Sequence, residues 1–212
     1  MLLTDNEILN NCSNFTMTSK DRQLQILQCV EDICNKNVPG DFIEIGVWKG
    51  GIIMIMLYKL LQLGVTDRII HVYDTFSGMT ESSLKDIDRF GIVADYKAPG
   101  IICSASYEDV YNNIQSIGYP MKNIIFHLGD IRNTDVSCIP NKIALLRLDI
   151  DWYELYKFAL PLFEPNVSND GIVTIDDYNF WNGCKEAVDE YIENKDIELK
   201  IIDDCGVYYV KK

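Results

Sequence analysis

From Ile143 to Ile150 the chain reads IALLRLDI, an apolar run broken only by Arg147 and Asp149. A continuous run of this kind, unlike an alternating one, fits a strand buried on both faces, and such strands belong to parallel sheets covered by helices on either side. The surroundings agree. Short runs rich in β-branched residues at Phe42–Val47, Ile69–Asp74, Ile124–Leu128 and Gly171–Ile175 alternate with helix-like stretches at Lys20–Asn37, Gly50–Leu63, Ser106–Ile117, Tyr153–Phe163 and Cys184–Asn194. The first of these helices carries Leu24, Leu27, Val30, Ile33 and Cys34 at helical spacing, behind a Ser19 cap. Leu199–Asp203 and Val207–Val210, joined by Asp204-Cys205-Gly206, read as an antiparallel hairpin. The pattern predicts an α/β, doubly wound, mostly parallel seven-stranded sheet of Rossmann-like type, closed by a C-terminal antiparallel hairpin. The 212 residues suit one domain, 1–212, with a helical N-terminal segment over 1–37. A weakly periodic loop over 77–103 leaves room for one short helix.

Ligands of such sheets bind beyond the carboxyl ends of the strands. Five predicted strands deliver acids to that edge: Glu44, Asp74, Asp130 just after its strand, the pair Asp149 and Asp151, and Asp176-Asp177. Any one of these could be a cap or turn former, but strand ends gathering five sets of carboxylates at the ligand edge point to binding. Between the first strand and its helix stands Glu44-Ile-Gly-Val-Trp-Lys-Gly-Gly51, whose glycines allow close approach of a nucleotide-like group. Its spacing is GxxxGG, so neither the GxGxxG dinucleotide fingerprint nor a P-loop is met. Asp74 holds the position that hydrogen-bonds ribose hydroxyls in nucleoside-binding sheets. An adenosine cofactor without a pyrophosphate fits both features. Asp149, Asp151, Asp176 and Asp177 cannot all stay ionised side by side without a cation, and all-oxygen ligands select magnesium, calcium or manganese over zinc. Trp48, Trp152, Tyr153, Tyr178 and Trp181 fall near the same edge, as pocket walls or as core.

Nineteen basic against thirty-two acidic residues leave a net charge of −13, which disfavours nucleic acid and anionic membranes as partners. Seven scattered cysteines without a CxxC pair read as free thiols in a reducing cytoplasm. Met1 to Ser19 lacks the basic and apolar runs of a secretory signal, and no stretch is apolar for long enough to span a membrane. His71 and His127 lie inside predicted strands and read as packed or surface residues, so no Ser/His/Asp triad assembles.

The run Pro39-Gly-Asp-Phe-Ile-Glu-Ile-Gly-Val-Trp-Lys-Gly-Gly51, then Asp74-Thr-Phe-Ser-Gly78, Leu146-Arg-Leu-Asp-Ile-Asp-Trp-Tyr-Glu154 and Gly171 to Tyr178 resemble the macrocin O-methyltransferase family. The likeness starts near Thr16 and includes Cys184 to Asp189. It implies a class I methyltransferase fold, S-adenosylmethionine as methyl donor, a magnesium ion, and a small-molecule or saccharide substrate. Carried over residue by residue, it implies Asp149, Asp176 and Asp177 as metal ligands and Asp151 as the general base. It further implies Thr16, Glu44, Gly46, Gly50 and Asp74 at the donor, with Ser106 and Asp130 near the adenine, and a homodimer as the assembly. The sequence departs from the family at Ile150, commonly a glycine there, at Gly129 to Thr134, and over 77–103, where relatives carry lid and acceptor contacts. A catechol or phenol acceptor, a non-catalytic module retaining the fold, and a nicotinamide oxidoreductase remain as rival readings, the last disfavoured by the missing GxGxxG.

Overall fold

The computed structural model describes residues 3–95 and 103–212. Two helices open the chain, α1 (Asp5–Cys12) and α2 (Lys20–Asn35). Thr4 begins α1 with a capping box to Glu7, and the Ser19 hydroxyl begins α2 by accepting from the Arg22 amide. There follow β1 (Asp41–Ile45), α3 (Gly51–Gln62), β2 (Ile70–Asp74), α4 (Tyr107–Gln115), β3 (Ile124–Leu128), β4 (Ile143–Leu148) and α5 (Tyr153–Phe163). The last elements are β5 (Val167–Ile175), α6 (Asn182–Ile192), β6 (Lys200–Ile201) and β7 (Val207–Val210).

The seven strands form one sheet in the order β3-β2-β1-β4-β5-β7-β6. Strands β1 to β5 run parallel, while β7 is antiparallel to both β5 and β6. This is the doubly wound sheet with a terminal hairpin that the alternation of apolar runs predicts. One apolar cluster joins α1, α2, α3 and α4 to one face, through Ile26, Val30, Ile53, Leu57 and Ile114. The other joins α5 and α6 to the opposite face, through Tyr156, Leu160, Phe163, Ala187 and Val188. Every side chain of β4 is buried, as a strand at the centre of both layers requires.

Boundaries shift where local bonding decides them. β4 stops at Leu148, not Ile150: the Asp149 amide makes the last ladder bond, to the Ile45 carbonyl, and the chain then turns away through Asp151 at φ +56. β5 starts four residues before Gly171, pairing Val167 with Ile143. No helix occurs among the described residues of the 77–103 loop, of which 96–102 lie outside the described set. Ile87 bridges Val93, and Asp88 bridges Trp181 at the start of α6. His71 and His127 are packed, as expected. Their rings bond to each other at 2.9 Å and His71 reaches Asp41 at 3.1 Å. Burial, with His71 alongside, pushes the His127 imidazole down to about 4.

Candidate active site

The strand order reverses between β1 and β4, and the crevice that opens there is where ligands of parallel sheets bind. A cavity of about 450 Å³ occupies it, within the size range of small-molecule sites. Glu44, Gly46, Asp74, Asp130, Asp149, Asp151, Asp176 and Asp177 all line it, together with Thr16 from the turn before α2.

On the β1 side, Gly46 has φ +82, and a Cβ there would stand 1.8 Å from the Asp149 carbonyl oxygen. Only glycine lets the β1 and β4 ends meet so closely. Glu44 is fully buried, and its Oε1 accepts from Arg147 Nη1 at 2.5 Å. Its other oxygen, Oε2, has no partner, and neither does the hydroxyl of Tyr73 or Thr80. All three residues line the cavity, so the wall holds buried polar atoms awaiting a polar ligand. Asp74 ties the β1–α3 loop. Its Oδ2 accepts from the amides of Val47 (2.7 Å) and Trp48 (3.1 Å), and its Oδ1 from the Phe76 amide (2.8 Å). The Thr75 hydroxyl adds a longer bond at 3.4 Å. These fill most of what a carboxylate can accept.

On the β4 and β5 side, Asp149, Asp151 and Asp177 offer one carboxylate oxygen each within 4.8 Å of one another. Asp176 does not join them. Its Oδ1 takes Arg147 Nη2 at 2.6 Å and its Oδ2 a very short bond from Arg22. Arg147 Nη2 also lies 2.9 Å from Asp149 Oδ2 and 3.1 Å from the Thr18 hydroxyl. The Asp151 amide donates to Asp177 Oδ2 (3.2 Å), and Asp151 Oδ1 accepts from the Trp181 indole (2.8 Å). Three oxygen donors with no nitrogen or sulfur in the group fit a hard divalent cation.

The charges confirm how crowded the site is. Burial, with Asp149 beside it, pushes Asp151 up to about 7 and Asp176 up to about 6, the latter held back by Arg147 and Arg22. Burial and the neighbouring Asp151 raise Asp177 well above the carboxylate range. Glu44 rises to about 8, because burial outweighs Arg147 and the acids Asp149 and Asp176 add repulsion. The folded protein therefore keeps protons that the unfolded chain gives up near the ordinary carboxylate values of 3.8 to 4.5. Stability from these groups is full below about pH 4 and is lost as pH rises through 6 to 8. Thermal melts in chelator should show a falling midpoint across that window. Added magnesium should raise the midpoint more at pH 8 than at pH 5, because protons compete for the same oxygens. A flat profile would contradict the crowding.

The model of the Macrocin-O-methyltransferase (TylF) family matches residues 10–211. The chain belongs to this family. The methyltransferase is 36% identical over 200 residues to the demethyldecarbamoylnovobiocin O-methyltransferase of Streptomyces niveus, covering 92% of this chain and 74% of that one. It is 31% identical to the mycinamicin III 3''-O-methyltransferase of Micromonospora griseorubida, covering 92% and 77%. The solved structure of the O-methyltransferase NovP superposes with a TM-score of 0.81 at 34% identity, covering 93% of this chain and 82% of that one. The protein is thus an enzyme, an S-adenosylmethionine-dependent O-methyltransferase.

The structure sorts the residues singled out in the sequence. Thr16, Glu44, Gly46, Asp74 and Asp130 line the cavity of the methyltransferase, the last with its carboxylate paired to Arg132 at 2.5 Å. Gly50 and Ser106 do not line it. Gly50 opens α3 at φ +83 against Val110 and Ile114, and Ser106 is an exposed cap of α4. Trp48, Trp152 and Trp181 are walls, whereas Tyr153 and Tyr178 are not. Sequence reasoning missed Arg147, although a charged residue inside a strand buried on both faces must be paired. It also missed Arg22, which lines the cavity and for which no local pattern gives a signal.

Proposed function

We propose that this methyltransferase acts on a hydroxyl of a sugar, in a glycosylated metabolite or polysaccharide, with a magnesium-type ion at the acid cluster. The observation that carries the reading is the grouping of Asp149, Asp151 and Asp177 on the same cavity as the unpartnered Glu44 oxygen. The names of its relatives support the acceptor class, since one acts on a rhamnosyl tetracenomycin and another on mycinamicin III. When bound, S-adenosylmethionine supplies an electrophilic methyl group on a sulfonium, and a divalent cation supplies charge that lowers the pKa of a nearby hydroxyl.

The chain does the rest. Glu44, Gly46, Thr16 and Asp74 hold and orient the donor, with Glu44 Oε2 free to accept from an ammonium. Asp130 and Ile131 close the adenine side. Gly50 and Ser106 act through the α3–α4 packing beside it. Asp149 and Asp177 would hold the cation, and Asp176 would become a third ligand only by releasing Arg147 or Arg22. Asp151, with one oxygen on the Trp181 indole, uses the other to take the hydroxyl proton, a task suited to a group poised near 7. The donor would supply its methyl to the acceptor oxygen and would depart as a neutral thioether. Trp152, Trp181 and Phe180 wall the site against water.

The reading extends to a single domain over 1–212, to a homodimer, and to the cytoplasm, where seven unpaired cysteines stay reduced. No helix among the described residues is long and apolar enough to cross a membrane. Turnover assays with free sugars, sugar nucleotides, glycosides and catechols test the acceptor. Glycosides with adjacent hydroxyls should be preferred by at least ~10-fold, since a site built for one hydroxyl pattern rejects others strongly. Preference for a catechol would overturn the sugar assignment.

A further inference from the structure

Helices α5 and α6 both start with a tryptophan in the cap position, Trp152 and Trp181, and neither has a side-chain cap. Indole carries no acceptor, so the first amides of both helices need oxygens from elsewhere. The segment before residue 96 supplies them. Asp86 Oδ1 accepts from the Tyr153 amide at 2.7 Å, and the Ile87 carbonyl accepts from the Asn182 amide at 2.8 Å. Asp86 has no exposed surface, and its Oδ2 is held by the Ser83 amide (2.6 Å) and hydroxyl (2.9 Å). A Cβ on Gly183 would stand 2.2 Å from Asp86 Oδ1, so the second residue of α6 is a glycine to admit this carboxylate.

The two indoles, freed from capping, donate in two directions. Trp152 Nε1 bonds the Thr80 carbonyl at 2.9 Å, fastening the same segment at a third point. Trp181 Nε1 bonds Asp151 Oδ1 at 2.8 Å, and the two rings meet edge to face at 5.1 Å. Asp151 sits at φ +56, a conformation that non-glycine residues hold only when their surroundings enforce it. The clasp at Asp86 and the orientation of Asp151 therefore share one pair of tryptophans.

We propose that Asp86 and Trp181 are positioning residues for methyl transfer: Asp86 clasps the 80–95 segment to α5 and α6, and through Trp181 that clasp fixes the Asp151 carboxylate. The inference rests on the reading that Asp151 takes the proton. The clasp holds the residue assigned to take the proton only while the 80–95 segment is seated on α5 and α6.

The test is a double-mutant cycle of Asp86→Ala and Trp181→Phe in the full chain, with Asp151→Asn alongside. Phenylalanine keeps an aromatic ring against Trp152 and Phe180 and removes the indole donor, with some loss of volume. Each single change should lower kcat by about 10- to 100-fold, the scale of a displaced reacting group. Acceptor KM and donor Kd should move less than about threefold. The double variant should be no worse than the poorer single, within about threefold, because both act along one route. Asp86→Asn, which keeps an acceptor for the Tyr153 amide, should recover most of the loss. Limited proteolysis should find the segment loosened in Asp86→Ala and intact in Trp181→Phe. Multiplying losses, a rise confined to KM, or unchanged kcat in Trp181→Phe would overturn the proposal. If Asp86→Ala does not fold, unchanged kcat in Trp181→Phe still overturns it. Asp151→Asn separates the two levels: full activity there refutes the proton acceptor itself, whereas its loss beside an unaffected Trp181→Phe refutes only the positioning.

Discussion

Asp149→Ala is expected to lower turnover by at least ~10³-fold while leaving S-adenosylmethionine bound within about threefold, because transition-state charge stabilisation by a cation amounts to several kcal/mol. Asp149 is the residue through which the two halves of the cavity meet. Its carboxylate belongs to the acid group with Asp151 and Asp177, and its carbonyl lies against Gly46, proposed to face the donor. The substitution removes the first and keeps the second. Calorimetry with the donor and an assay of methyl transfer therefore separate the effects. A variant with wild-type turnover would remove Asp149 from the cation site. A variant that loses donor binding as well would show that the acid group shapes the donor half.

Arg147→Ala is expected to destabilise the fold by about 3–5 kcal/mol, because it leaves buried carboxylates without their counter-ion. Arg147 and Glu44 are 2% and 1% exposed at their side chains, so solvent does little screening of this pair. The same guanidinium holds Asp176 and Asp149, and alanine would leave Glu44 with no cation and Asp176 with Arg22 alone. At about 2–4 °C per kcal/mol for a chain of this length, the melting midpoint should fall by on the order of 10 °C. The loss should be smaller at pH 5 than at pH 8, since burial holds Glu44 and Asp176 protonated at the lower pH. Arg147→Lys should recover part of the stability but not the forked geometry. A midpoint within about 2 °C of wild type in Arg147→Ala would mean that the acids are protonated throughout and need no partner.

The sheet was legible because its evidence is periodic. The Ile143 run, the β-branched stretches and the helical spacing on α2 are local features, and each survives into the structure within a few residues. The carboxyl edge was legible for a related reason: strand ends position acids wherever the sheet order places them. Tertiary choices were not legible. Asp176 and Asp177 are adjacent and chemically alike, yet one faces two arginines and the other joins Asp149 and Asp151. Nothing in the sequence distinguishes them, since Arg22 comes from a helix 154 residues away. Gly50 reads as part of the glycine-rich turn, but its left-handed backbone serves the contact with α4. The 77–103 loop has no periodicity because its described part is held by irregular turns of its own and by bonds to helix ends. Asp86 is one acid among thirty-two until the empty caps of α5 and α6 give it a task.

Methyl transfer to a glycoside with adjacent hydroxyls, measured before chelation, after chelation and after magnesium is restored, tests the central claim most directly. Activity that disappears with the ion, returns with it, and never returns in Asp149→Ala is the predicted result. Equal turnover in the chelated and the magnesium-loaded enzyme would contradict the claim, and would leave the Asp149, Asp151 and Asp177 cluster without the cation assigned to it.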